Sequence, residues 1–318
     1  MTQYTLINEA VRFGELELEL ATETAIQWEK RFIGKSHNEG NMLMIALSRH
    51  GNEREIQQIL RSSKTELIQS RWIKGLGMIE PKLFTTEGSY EKTIHAGKNH
   101  WLIHYQHRKY SNRSNKKQRS TIIGFVGVAG YLMAPPACIL AGLAETEQDL
   151  IIVRRCYKDI HFLSNEFILK EIIDHLFVIL GKSLFDATTV GSSAGGLAAL
   201  CFGQMLQLPS SVAIGPSAKG MSLLQPIIAS FRKSNNAYLT TSKESSALPN
   251  KTIKIYAGAN NQKDVNNAQA IRNYLNKSLA VKMHVGTYFF KDCSSHNCFE
   301  ELATKGIPLT KSLIPFIT

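Results

Sequence analysis

Residues 191–196 read Gly-Ser-Ser-Ala-Gly-Gly, a G-x-S-x-G arrangement centred on Ser193. A serine in this setting can attack an acyl carbon when it stands on a sharp turn between a strand and a helix. The preceding Ala187-Thr188-Thr189-Val190 has strand character, and the following Leu197-Ala198-Ala199-Leu200 is helix-forming. Gly191 and Gly195 put the smallest side chain two before and two after the serine, where a tight turn leaves no room. The N-terminus of the helix adds partial positive charge beside the hydroxyl. A phosphate-binding glycine turn would use the same geometry. Neither G-x-x-x-x-G-K-[ST] nor G-x-G-x-x-G is present there, so the nucleophile reading is favoured.

An elbow serine needs a base, and the base needs an acid, in the chain order Ser, Asp, His. Two histidines follow Ser193: His284, inside an apolar run, and His296, in the loop Lys291-Asp292-Cys293-Ser294-Ser295-His296-Asn297-Cys298. His296 is the expected base, because it comes after the last strand and before a helix. Asp264 is the only carboxylate in the loop 257–264 and is the expected acid, although it also reads as the N-cap of the next helix. Asn261 orienting the histidine, or Asp292 serving as the acid, are the alternatives. The oxyanion should be held by the backbone N–H of Ala194 and a second amide from Gly127-Val128-Ala129-Gly130, with Val128 expected. Cys293, His296 and Cys298 could ligate zinc, but three ligands within six residues and no second cluster leave no metal expected.

These residues need a scaffold. Thr121–Val126, Asp149–Arg154, Ala187–Val190, Ser211–Ile214, Ile253–Tyr256 and Val281–Phe290 read as strands, and helices are expected at 164–180, 194–206, 219–232 and 265–277. A short helix is expected after Asn297. Alternating strands and helices predict an α/β fold, a mostly parallel sheet with helices on both faces. Trp101–Tyr105 reads as a further strand. It leads into Arg108, Lys109, Arg113, Lys116, Lys117 and Arg119 without an intervening acid, which reads as a solvated hairpin tip or a polyanion-contact loop. Residues 1–90 differ: Asn52–Lys74 carries helical spacing, with Ser63-Lys64-Thr65-Glu66 as a capping box. This region is expected to be a small helical N-terminal region or cap rather than a base-reading helix-turn-helix.

The chain has 318 residues, 43% of them hydrophobic, which is enough for a full core and excludes disorder as the overall state. Its formal charge of +11 favours anionic partners. Five cysteines without framework spacing point to a reducing compartment. No long apolar run and no basic-then-apolar N-terminus are present, so a cytoplasmic location is expected.

The stretch from about 121 to 317 resembles the α/β-hydrolases. More narrowly, Val190–Leu200, Ile214-Gly215-Pro216-Ser217-Ala218-Lys219 and Tyr256-Ala257-Gly258 resemble bacterial capsular-polysaccharide O-acetyltransferases of that type, and related accessory-secretion proteins. The resemblance implies an α/β-hydrolase domain over 91–318 and a Ser-Asp-His triad. It also implies acetyl-CoA as donor and a glycan hydroxyl as acceptor, with no specific nucleic acid. Arg113, Lys116 and Lys117 are the expected contacts for an anionic substrate. A peripheral place at the inner membrane face, beside a capsule or secretion complex, fits the same relatives. Esterase or thioesterase activity, and a catalytically silent glycan- or protein-binding subunit, are the other readings.

Overall fold

The computed structural model describes residues 22–34, 89–97, 100–108, 120–127, 132, 134, 136–144, 146–155, 162–163, 166–234, 252–278, 284–305, 307, 312 and 314. Eight strands form one sheet: β1 (Tyr90–Ala96), β2 (His100–His107), β3 (Thr121–Phe125), β4 (Asp149–Arg155), β5 (Thr188–Ser192), β6 (Ser210–Ile214), β7 (Thr252–Gly258) and β8 (His284–Phe290). Their order is β1-β2-β4-β3-β5-β6-β7-β8. β2 runs antiparallel to both β1 and β4, and the strands from β4 to β8 are all parallel. This order and these directions are those of the α/β-hydrolase fold.

The helices are α1 (Ala25–Phe32), α2 (Pro136–Leu143), α3 (Glu166–Leu180), α4 (Ala194–Met205), α5 (Leu224–Ser234), α6 (Gln262–Ser278) and α7 (Cys298–Thr304). Side chains alternate across each strand, so one apolar run feeds two cores. Ile122, Leu150, Ile152, Val212 and Ile214 face the core shared with α2 and α7. Ile123, Phe125, Ile151, Val153 and Ala213 face the core shared with α3, α4, α5 and α6. Burial on both faces is why these strands read as continuous apolar stretches.

On α6, Asp264, Ala268, Ile271 and Leu275 are buried at helical spacing, forming one inward stripe that begins with the acid. Where the sequence predicts a helix near 219–232, a 3₁₀ turn at Met221–Leu223 follows Gly220 (φ 88°), and the α-helix begins at Leu224.

Of the expected N-terminal region, only 22–34 and 89–90 are among the described residues; the helices expected within Asn52–Lys74 lie outside them. Helix α1 opens on a capping box between Thr24 and Gln27. Its Trp28 is fully buried in the same core as Tyr90 and Ile103. Among the described residues, no helix is long and apolar enough to cross a membrane.

Candidate active site

β5 ends at Ser192 and α4 begins at Ala194, leaving Ser193 as the whole turn. Its backbone sits at φ 50°, ψ −117°, a strained conformation for a residue with a Cβ. The fold holds it there from several sides. The Ser193 amide donates to Ile214 of β6 at 2.9 Å, and its carbonyl accepts from Gly196 at 3.1 Å and from Ser217 at 3.4 Å. The hydroxyl makes no capping bond to α4, so it is not consumed by the helix it opens. Ser192, by contrast, is buried as the last residue of the strand.

The glycines around Ser193 are required by contact. A Cβ on Gly191 would meet the Gly195 carbonyl carbon at 2.5 Å, and one on Gly195 would meet the Val126 carbonyl oxygen at 2.7 Å. A Cβ on Gly196 would meet Pro216 at 2.9 Å. Gly127, just past β3, packs on the elbow: a Cβ there would be 3.3 Å from that of Ser193. The loop expected to supply the second oxyanion amide therefore starts against the nucleophile. Val128 itself lies outside the described residues, as do Arg113, Lys116 and Lys117. Ala194 is the first residue of α4, a helix of twelve residues whose N-terminus favours negative charge.

His296 stands in the loop between β8 and α7, and its Nδ1 is 2.8 Å from Oδ2 of Asp264. The imidazole is about half exposed (49%) while the carboxylate is 3% exposed. A buried acid holding one ring nitrogen leaves the other free to handle a proton at the site. The N-cap expected at Asp264 is instead Asn261, whose Oδ1 accepts the Asp264 amide at 3.2 Å and whose carbonyl accepts the Val265 amide at 3.0 Å. The cap falls three residues earlier because an asparagine there already satisfies the orphan amide, so the aspartate is released to face the histidine. Asn261 therefore caps the helix, and Asp292 lies on a left-handed turn (φ 61°) with its carbonyl bound by Lys305. His284 is the first residue of β8, at the opposite end of the strand from the site.

The histidine loop is densely held. Glu301 Oε2 accepts the amides of Ser294 at 2.8 Å and Ser295 at 2.6 Å, and Oε1 lies 2.7 Å from Lys305 Nζ. The Lys305 ammonium and the Ser295 amide hold the Glu301 carboxyl down at about 2. Cys293 and Cys298 are buried, and their thiols point to backbone carbonyls of the same loop. Burial pushes the Cys298 thiol up to about 12 and also raises Cys293, so neither is poised as a thiolate ligand or nucleophile. Among the described residues, no group of three or more His, Cys, Asp or Glu is arranged to hold a metal ion.

Glu301 is a residue of this site that no sequence motif marks. Its partners are backbone amides, and no sequence pattern identifies a carboxylate whose partner is an amide.

No family model matches the chain, and no curated protein sequence does. Among solved structures it is similar to the capsule O-acetyltransferase of Neisseria meningitidis serogroup A, at 15% identity over 67% of this chain and 93% of that one, with a TM-score of 0.41. It is also similar to the S-formylglutathione hydrolase of Staphylococcus aureus, at 14% identity over 70% and 98%, TM-score 0.42. For esterase B of Lactobacillus rhamnosis the figures are 10%, 83%, 96% and 0.44. The strand order, with a serine elbow after β5 and an acid–histidine pair carried after β7 and β8, makes this chain an α/β-hydrolase-fold protein.

Proposed function

We propose that the chain is a serine-dependent acyltransferase that O-acetylates a bacterial surface polysaccharide from acetyl-CoA through an acyl-Ser193 intermediate. The observation that supports the acyl-transfer reading is a strained serine elbow after β5 and a histidine held by a buried acid after β7 and β8, all at the C-terminal ends of parallel strands. His296 takes the Ser193 proton as the hydroxyl attacks the acyl carbonyl. The Ala194 amide and one from the loop after β3 meet the oxyanion. The thiol leaves with the proton held on the imidazole, and His296 then deprotonates the acceptor hydroxyl for the second transfer. Asp264 fixes the ring tautomer and stabilises the imidazolium.

The choice of a glycan acceptor rests on the sequence resemblance of 190–200, 214–219 and 256–258. The net charge of +11 supports an anionic acceptor or the phosphates of the donor. Asp264 at 2.8 Å from His296 supports an enzyme over a catalytically silent subunit.

The test is acetyl-CoA turnover with and without de-O-acetylated capsular polysaccharides, beside p-nitrophenyl acetate hydrolysis and fluorophosphonate labelling. Turnover that rises with polysaccharide and is lost in Ser193→Ala supports the reading. Ester hydrolysis indifferent to any polysaccharide identifies an esterase instead. A folded protein that neither turns over acyl donors nor takes the label overturns the enzyme reading.

A further inference from the structure

Glu301 is a carboxylate that grips the backbone immediately before His296. One of its oxygens accepts two consecutive amides, Ser294 at 2.8 Å and Ser295 at 2.6 Å, so the residue adjoining the histidine is tied by a charge-assisted bond. The other oxygen is held by Lys305, four residues on and just past the end of α7, and the same ammonium binds the Asp292 carbonyl at the start of the loop. Ser295 is fixed further: its hydroxyl accepts the Asn297 amide at 3.0 Å, and its carbonyl faces the Cys298 thiol. Such a clamp is more than the seven-residue helix needs for its own closure, because its contacts lie upstream of the helix, across the segment that carries the imidazole.

We propose that Glu301 is a positioning residue for catalysis, its carboxylate clamping the 294–295 backbone so that His296 Nδ1 stays on Asp264 while the opposite ring nitrogen faces the nucleophile. This inference rests on the reading of His296 as the general base. Glu301 touches neither substrate nor reacting atoms; it acts through the loop. A displacement of about 1 Å at a catalytic group costs on the order of a hundredfold in rate, so releasing the clamp should be felt in turnover more than in binding.

The length of the side chain, not its charge alone, is what the geometry requires, and this gives the experiment. Glu301→Gln keeps an oxygen within reach of both amides, whereas Glu301→Asp keeps the charge but is one methylene short. For p-nitrophenyl acetate, Glu301→Gln should hold kcat within about threefold, and Glu301→Asp should lower it by about ten- to a hundredfold with KM little changed. The low-field proton resonance of the His296–Asp264 hydrogen bond, assigned by its loss in Asp264→Asn, should persist in the Gln variant and vanish in the Asp variant. The reverse ranking, with Asp active and Gln inactive, overturns the inference, as does an unchanged resonance and kcat in both. Ser193→Ala is the separate control: if it retains activity the acyltransferase reading fails, while the resonance still decides the role of Glu301.

Discussion

The amide of Asn260 donates to the carbonyl of Cys293 at 2.8 Å, joining the loop after β7 to the loop after β8. The adjacent Ala259 amide reaches the Phe290 carbonyl at 3.0 Å, so the parallel pairing of the two strands continues past their ends. Acid and histidine therefore ride on one hydrogen-bonded unit, although they are 32 residues apart. The contact is tight, since a Cβ on Gly258 would lie 2.8 Å from the same Cys293 carbonyl oxygen.

Asp264 and Asn261 should separate cleanly on mutation. Asp264→Asn is expected to cut turnover by about 10³- to 10⁴-fold through loss of tautomer control, with a small change in melting temperature. Asn261→Ala should instead cost about 1 kcal/mol of stability by removing a helix cap and leave turnover within a few-fold. Steady-state kinetics and thermal unfolding of the two variants check the assignment, and exchanged effects would return the acid's role to Asn261.

The elbow predicts which serine reacts. Ser193→Ala should lose about 10³-fold or more in turnover, as members of a triad act together. Ser192→Ala, a change at a buried strand end, should retain fluorophosphonate labelling at Ser193. Mass spectrometry of the labelled peptide reads the site directly, and a label on Ser192 would refute the elbow.

Gly195→Ala should be damaging for a steric reason. Its Cβ would be 2.7 Å from backbone atoms of both Phe125 and Val126, which cannot rotate away. Overpacking of this kind costs about 1–3 kcal/mol, and relief requires moving either the elbow or the end of β3. The expected result is a lowered unfolding midpoint together with loss of serine labelling, measured on the same preparation.

Acid should weaken the fold through His100, far from the site in sequence. The imidazole is buried, with Nε2 3.1 Å from His175 Nδ1 and Nδ1 3.7 Å from Glu171. Burial lowers its pKa from 6.5 to about 4, with the Glu171 charge opposing and His175 adding to the shift. His95, on the neighbouring strand, is lowered as well, by burial and then by His104 and His175. Between pH 6.5 and 4 the unfolded chain takes up a proton that the folded chain refuses. Stability from this group is thus complete above 6.5 and declines as pH falls towards 4. Urea midpoints across that range should fall less steeply for His100→Asn than for the parent, and equal slopes would exclude His100.

Ser193 and His296 were legible in the sequence because local signals mark them: glycines at fixed offsets, and a loop between the last strand and the last helix. The inner strands were legible for a related reason, since burial on both faces leaves an unbroken apolar run. β1 was not: among the described residues it is an edge strand, Tyr90 alone of it is buried, and Tyr90–Ala96 contains only Ile94 as a branched aliphatic. The acid was ambiguous for a different cause. Asn261 and Asp264 both suit a cap, and only the distant His296 determines which of the two is drawn into the site.

Asp264 begins the inward stripe of α6, ahead of Ala268, Ile271 and Leu275. Its direction is consequently set by the rotational phase of a whole helix, and each residue of slippage would swing the carboxylate by about 100°. Packing at Ile271, about 10 Å down the axis by helical rise, therefore acts as the far end of a lever whose near end is the acid. Ile271→Ala, a cavity in a fully buried position that costs about 2–5 kcal/mol, should also loosen the phase of the helix and with it the Asp264–His296 contact. In this architecture the hydrophobic core is also an aiming device, and the direction of the Asp264 carboxylate depends on how well apolar side chains fill a groove.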